Sequence, residues 1–314
     1  MMNRSTVLHA LAATAAAAAL PVRARAADPI RFATIPIDSG AQAFFAEAQH
    51  MFPKAGIDAK VHSIPNGAAI TAAVVGGSID VGFSNILSLA TAHEKGIPIT
   101  LIAPAGLYLA KAPTSVLMVP KDSPARDARA LNGKTVAVNG LKNITQLAVQ
   151  AWLDKNGADS KSVNYVEMPF SDMPLALASH RIDAALVAEP SVTEAKKNAR
   201  TLAQAYDAIA PDFLIGGWFT SQRWAGAHPD LVKKVAGVLR ESAVWANKNG
   251  AASADVLASA TKIDPATLKV MVRAVFAERL DPGAIQPLID LAAKYGYLKA
   301  GFPAQDLIDR NALT

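Results

Sequence analysis

The chain has 314 residues, of which 51% are hydrophobic, and a formal net charge of +5. It contains no cysteine, which excludes disulfides, thiolate metal sites, cysteine nucleophiles and a lipid attached to cysteine. Its lysines and arginines form no basic stripe with interleaved aromatic residues, so the sequence gives no reason to expect a nucleic-acid partner. The length is sufficient for two domains, each with a core of its own.

The first 26 residues have the pattern of an export signal. Arg4 lies in a short polar segment, residues 7–20 form an almost unbroken run of alanine and leucine, and Ala-Arg-Ala at 24–26 offers small residues for cleavage. A membrane anchor is the alternative, but a spanning helix needs about 20 strongly apolar residues. We therefore predict a cleaved signal peptide over 1–26 and a soluble periplasmic product without a lipid anchor. Cleavage removes the three arginines of the signal peptide, which lowers the net charge of the mature chain to about +2.

The mature chain alternates strands and helices, as parallel α/β sheets do. The apolar pattern and the stop signals predict strands over 30–35, 59–64, 81–83 and 99–103, and helices over 42–51, after Asn66, and from about 85 to 95.

The same unit is then repeated. Residues 66–85 (NGAAITAAVVGGSIDVGFSN) and 171–190 (SDMPLALASHRIDAALVAEP) each have a polar start, a helix of small residues, an Ile-Asp step and an apolar strand. Upstream, 30–65 and 135–169 share the element order and a Gly-x-Asp turn. Two alike units predict two alike lobes, and clefts between domains are preferred places for small ligands.

The segments 104–120 and 213–219 are predicted to cross between the lobes. The remaining sequence has only helical patterns, over 228–247, 252–260, 265–276, 287–295 and 303–311, and is expected to pack on the first lobe. We therefore predict an α/β fold of two lobes, each a parallel-rich sheet flanked by helices. Lobe one is discontinuous, 28–112 plus 220–314, and lobe two is 113–219.

Ligands of parallel sheets bind outside the carboxyl ends of the strands, where helices begin and present free N–H groups. Short polar residues stand at five such starts, namely Ser39, Asn66, Ser84 with Asn85, Asn143 with Thr145, and Ser171. Each is also explained as an ordinary helix cap, and Asn143 with Gln146 resembles a capping box. If the lobes face each other, the five starts converge on one cleft suited to a polar or anionic group.

Two further kinds of residue are candidates near this cleft. Glu189 ends an apolar strand, where it accepts from a ligand amine, bonds the other lobe on closure, or places a charge at the N-terminus of the next helix. Phe170 and Trp218 are aromatic candidates, although most aromatic residues belong to the core. Asp80 and Asp183 also repeat, but we predict a structural role because they lie at the opposite end of their strands.

Catalytic patterns are absent from the sequence. There is no HExxH or GxSxG motif, and GGSID lacks the lysine of a phosphate loop. We therefore predict a protein that is not an enzyme and that needs no cofactor or metal.

The order of these motifs resembles the periplasmic solute-binding proteins of the nitrate, sulfonate and taurine ABC importers, a group related to the yeast thiamine-pyrimidine synthase. The matching text is GGSIDVGFSN with the elements before it, LNGKTVAV at the start of lobe two, and HRIDAALVAEP. The resemblance covers essentially the whole mature chain. Two departures stand out: Ala188 replaces an aromatic residue, and the loop 37–42 has no basic residue.

The resemblance implies a two-lobe type II binding-protein fold that closes on one small-molecule solute, works as a monomer and docks on an inner-membrane ABC permease. Its ligand contacts fall near Ser39 and Gln42, at Ser84 and Asn85, at Asn143 and Thr145, near Phe170, and at Glu189. We add Asn66 and Trp218 as candidates. An organic solute is favoured, and an anionic, sulfonate-like one stays open. An enzyme on the same fold, similar to the pyrimidine synthase or a dehydratase, and a solute-sensing module are the alternatives.

Overall fold

The computed structural model describes residues 29–261 and 263–312. The predicted signal peptide, 1–26, lies outside them. Within these ranges, no helix combines the length and the apolar character needed to cross a membrane.

The first unit alternates strands and helices in the predicted order. Its elements are β1 (Ile30–Thr34), α1 (Gln42–Ala48), α2 (Met51–Lys54), β2 (Ala59–Ser63), α3 (Gly67–Val75), β3 (Val81–Asn85), α4 (Ile86–Glu94) and β4 (Ile99–Pro104). The predicted helix over 42–51 ends early, because His50 adopts a left-handed conformation with φ 54° and separates α1 from α2.

The second unit follows a crossing made of β5 (Gly106–Leu109) and β6 (Ser115–Pro120). Its elements are β7 (Thr135–Val138), α5 (Ile144–Lys155), β8 (Asn164–Glu167), α6 (Met173–Ala178), β9 (Ala184–Ala188), α7 (Ser191–Ala195) and β10 (Ala199–Ala203). The chain returns through β11 (Asp212–Leu214) and β12 (Gly216–Ser221).

The two five-stranded sheets have equivalent topologies. The first has the order β2-β1-β3-β12-β4 and the second β8-β7-β9-β6-β10. In each, the first three strands are parallel, and the returning or crossing strand is inserted antiparallel beside them. The predicted boundary at 219/220 falls inside β12, which belongs to the first sheet. The parallel strands of each sheet therefore end at one edge.

The repeated aspartates have matching structural roles, as the sequence predicts. Asp80 accepts from the backbone N–H of Arg31 at 2.8 Å, and its own N–H donates to the Arg31 carbonyl. Asp183 makes the same pair of contacts with Thr135. Both aspartates thus join the start of one strand to the start of its parallel neighbour, at the end opposite to the polar helix starts.

The C-terminal part packs mainly on the first sheet and its helices. It contains α8 (Gln222–Ala227), α9 (Pro229–Lys248), α10 (Gly250–Thr261), α11 (Pro265–Val270), β13 (Val275–Phe276) and α12 (Pro282–Lys294). α9 packs along α1, and α12 packs against α4.

Three predicted helices in this part are wrong in extent or type. The helix over 265–276 ends at Val270, since Val275 and Phe276 pair with β5 and Phe276 packs edge-on against Phe45. The helix predicted to begin at Pro287 begins five residues earlier, because Asp281 caps it. The helix over 303–311 is replaced by two 3₁₀ turns, which a bridge between Ile308 and Leu101 separates.

The two repeated aspartates differ in burial, and this difference predicts unequal stability effects. Asp80 also holds the Arg31 guanidinium at 2.7 and 2.9 Å and is mostly buried, whereas Asp183 is half exposed with Lys134 at 3.5 Å. We expect Asp80→Ala to lower the free energy of unfolding by about 1–3 kcal/mol and Asp183→Ala by less. Urea unfolding of the two variants measures both values, and equal losses would contradict the assignment.

Candidate ligand site between the two sheets

The two sheets face each other through the loops at the carboxyl ends of their parallel strands. After β1, the N–H of Asp38 donates to the carbonyl of Glu189 at 3.3 Å. After β7, the Asn139 amide donates to the carbonyl of Pro65 at 3.4 Å. The Asn66 amide reaches the carboxylate of Glu167 at 3.5 Å. We call this zone, built by loops after five strands, the strand-end junction.

Three of the predicted polar starts are helix caps in the structure. Asn66, Asn85 and Asn143 each accept a backbone N–H of their helix at 2.9 Å through the side-chain oxygen. The amide nitrogen of Asn85 is also used, because it donates to the hydroxyl of Ser88.

The predicted capping box at α5 is present in a shifted form. Asn143 accepts from the N–H of Gln146, and the Gln146 side chain accepts from Lys142 instead of from Asn143. Thr145 donates its hydroxyl to Asn143 at 2.6 Å and accepts the N–H of Asn139. Thr145 therefore ties the start of α5 to the end of β7.

Two predicted caps are wrong. Ser39 lies in a 3₁₀ turn before α1, whose first residue is preceded by Ala41 without a side-chain cap. Ser171 is exposed and donates to the neighbouring carboxylate of Asp172, so it does not cap α6.

Glycines pack closely around Ser84 and Ser39 at the edge of the first sheet. A Cβ atom on Gly67 would overlap Oγ of Ser84, and one on Gly216 would lie 2.7 Å from the Ser84 carbonyl oxygen. A Cβ on Gly106 would lie 2.5 Å from Cβ of Ser39. The side chain of Ser84 is fully buried and its hydroxyl has no hydrogen-bond partner in the described residues. The backbone thus encloses the Ser84 hydroxyl, to which no group in the described residues forms a hydrogen bond.

Glu189 is almost completely buried at the end of β9. Its two oxygens accept from the N–H and the hydroxyl of Thr193, each at 2.9 Å. Burial raises the pKa of Glu189 above its ordinary value, although the bonds from Thr193 act in the opposite direction. The carboxylate therefore stabilises the first turn of α7 while it faces the strand-end junction.

Gln42 and Trp218 belong to the core of the first lobe. The indole N–H of Trp218 donates to the Gln42 oxygen at 2.8 Å, and the Gln42 amide donates to the carbonyls of Pro104 and Leu239. Both side chains are fully buried, and Trp218 packs against Phe83 and Phe32. Since their polar atoms are used here, the structure gives no support to the prediction that these two residues contact ligand. Phe170 is buried among apolar residues just before α6.

An ion pair that the sequence did not predict lies beside the junction. Asp38 is fully buried and accepts from the Arg273 guanidinium at 2.9 and 3.0 Å and from the N–H of Ala274 at 2.6 Å. The partners are 235 positions apart, so no local pattern could reveal them. The only local indication of this ion pair is the charged residue Asp38 within the loop 36–40.

The two-lobe fold is that of solved periplasmic binding proteins. A search of the solved structures finds an alkanesulfonate-binding protein from Xanthomonas axonopodis pv. citri, bound to MOPS, with 20% identity and a TM-score of 0.74 over 90% of this chain and 98% of that one. The periplasmic nitrate-binding protein of Synechocystis PCC 6803 is 14% identical, with a TM-score of 0.77 over 91% and 86% of the two chains. The aliphatic sulphonate-binding protein of Escherichia coli is 16% identical, with a TM-score of 0.70 over 91% and 98%. The predicted fold class is confirmed.

The family model described as NMT1/THI5 like matches residues 40–252, so the chain belongs to this family. The predicted resemblance is therefore confirmed at the level of the family. A search of the curated proteins finds no match.

The raised pKa of Glu189 predicts a pH-dependent stability. Below the ordinary value of 4.5 the carboxyl is protonated in both states, and above it the unfolded state ionises first. The protein should therefore lose stability relative to Glu189→Gln as the pH rises from about 4 to 7. Urea unfolding of both proteins across this range gives the difference in their free energies of unfolding. Glu194→Gln is the control, because Glu194 is exposed on α7, the helix whose first turn Glu189 stabilises. A constant or reversed difference would contradict the assignment.

Proposed function

We propose that this protein is an extracytoplasmic solute receptor, which closes on a small organic solute and delivers it to an ABC import permease. Membership of the NMT1/THI5-like family supports this proposal, as does the likeness in fold to binding proteins named for alkanesulfonates and nitrate. We further propose that it acts in the periplasm as a monomer, without catalysis.

The observation that carries the proposal is the buried, unpartnered hydroxyl of Ser84 at the strand-end junction. A buried polar group without a partner costs about 1–3 kcal/mol, so such groups are rare in native structures. A solute enclosed between the lobes would supply the missing hydrogen bond. The side chains proposed to surround it come from both lobes and are Ser39, Asn66, Ser84, Asn85, Asn143, Thr145, Phe170 and Glu189.

Closure follows from differential affinity. A solute that contacts both lobes only when they meet shifts the equilibrium from the open to the closed form. The contacts from Asp38 to Glu189 and from Asn139 to Pro65 exist only while the lobes meet, so they add to this difference. The hinge is proposed to run through the two crossing segments, 104–120 and 212–216.

Thermal unfolding of the mature chain against sulfonates, taurine, nitrate, pyrimidines and aromatic acids tests the receptor function. A solute at a hundred times its Kd adds about 2.7 kcal/mol to the free energy of unfolding, which should raise the Tm by several degrees. One stabilising compound that is recovered unchanged is the expected result. A stabilising compound that is consumed would instead favour an enzyme.

Gly67 offers a test of the site itself. Gly67→Ala should push the Ser84 hydroxyl out of its position and weaken the binding of the stabilising compound at least tenfold, with about 1–3 kcal/mol of stability lost. Gly226→Ala is the matched control, because Gly226 is exposed on α8 and has no atom within 4 Å of a built Cβ. Equal affinities of Gly67→Ala and Gly226→Ala, measured by calorimetry, would remove Ser84 from the site.

A further inference from the structure

We propose that Thr114 binds the solute together with Ser84, one hydroxyl from each lobe, and that the pair selects a hydrogen-bond-donating head group, neutral or cationic, over a sulfonate or nitrate. This inference rests on the proposed receptor function and specifies the class of solute.

Thr114 lies at the edge of the second sheet, immediately before β6. Its carbonyl accepts the N–H of Glu189 at 2.8 Å, and the Glu189 carbonyl in turn accepts the N–H of Asp38 from the other lobe. Thr114 is therefore one hydrogen-bonded residue away from the contact between the lobes. Thr114 is 5% exposed, and its hydroxyl has no partner in the described residues.

Four side chains in the described ranges have buried oxygen atoms without a partner: Ser84, Thr91, Thr114 and Tyr165. Thr91 lies on α4 and Tyr165 on β8, whereas Ser84 and Thr114 lie at the facing edges of the two sheets. Ser84 pairs with Gly217 of the returning strand β12, and the neighbour of Thr114, Ser115, pairs with Ala188 of β9. The two hydroxyls thus stand on the central strand pairs of their respective sheets.

The charges around the pair disfavour an anion. Asp38 is neutralised by its bidentate pair with Arg273, and that guanidinium also donates to the carbonyl of Gly250. Glu189 forms no ion pair within the described residues. The positive charge of Lys196 attracts the carboxylate from beyond ion-pair distance. A sulfonate or nitrate held here would lie beside a carboxylate that has no ion-pair partner in the described residues, whereas an N–H donor would hydrogen-bond to it. Both hydroxyls can accept from such a donor as well.

Three variants and three probes test this inference. Benzamide, benzamidine and benzenesulfonate share one ring and differ in head group, and they are added to the panel of compounds named above. Thr114→Val and Ser84→Ala remove the two hydroxyls, and Thr91→Val is the matched control because it removes an unpartnered hydroxyl elsewhere.

We expect compounds with N–H donors, and not benzenesulfonate or nitrate, to raise the Tm of the unsubstituted protein. Their Kd should rise about tenfold in Thr114→Val and in Ser84→Ala and stay unchanged in Thr91→Val. Without any compound, Thr114→Val and Ser84→Ala should unfold at the same urea concentration as the unsubstituted protein or at a higher one, since the lost hydroxyls have no partner.

Three results would overturn the inference and leave the receptor function standing. Two of them are tighter binding of the anions and an unchanged Kd of a stabilising compound in Thr114→Val. Lower stability of ligand-free Thr114→Val would also overturn it, because the hydroxyl would then have a structural role. Failure of the receptor function itself would differ from all three, as no compound would stabilise the unsubstituted protein.

Discussion

The direction of the parallel strands is the constraint on which the rest of the structure depends. In each sheet, three parallel strands end at one edge, and the turns that join their starts, held by Asp80 and Asp183, lie at the other. Because the unit occurs twice, the molecule has two edges rich in helix starts. The crossing segments bring these edges together, so the polar ends of both sheets meet at the strand-end junction.

Burial of so many polar groups at this junction is costly unless each has a partner. Most of them do. Asn66, Asn85 and Asn143 cap helices, Asp38 binds Arg273, and Glu189 is held by Thr193. These bonds fix the loops in place without a solute. The hydroxyls of Ser84 and Thr114 are left over, and they lie on opposite sides of the junction. Two unpartnered groups in this frame suit the proposed receptor function, in which a solute would complete the hydrogen bonding when the lobes close.

Much of this architecture could be predicted from local patterns. The repeat, the two sheets, the asparagine caps and the structural role of the two aspartates follow from short-range spacing, which is why the sequence reveals them. Long-range contacts are not visible in this way. In the sequence, Gln42 is a polar residue near the end of a predicted strand. In the structure it lies in the core, where it accepts a hydrogen bond from Trp218, 176 positions away. Likewise, Val275 and Phe276 continue a helical pattern in the sequence but form a strand that pairs with β5. The partner of Asp38 is even more distant in sequence.

The central claim is that the two lobes close on a solute, and a distance measured across them tests it most directly. The chain has no cysteine, so Lys60→Cys on β2 and Lys161→Cys before β8 provide two unique labelling sites, both exposed and on different lobes. Single-molecule energy transfer between dyes at these sites reports the distance with and without a stabilising compound. We expect the compound to increase the population with the shorter distance. An identical distribution of distances in the presence of a saturating compound would contradict it.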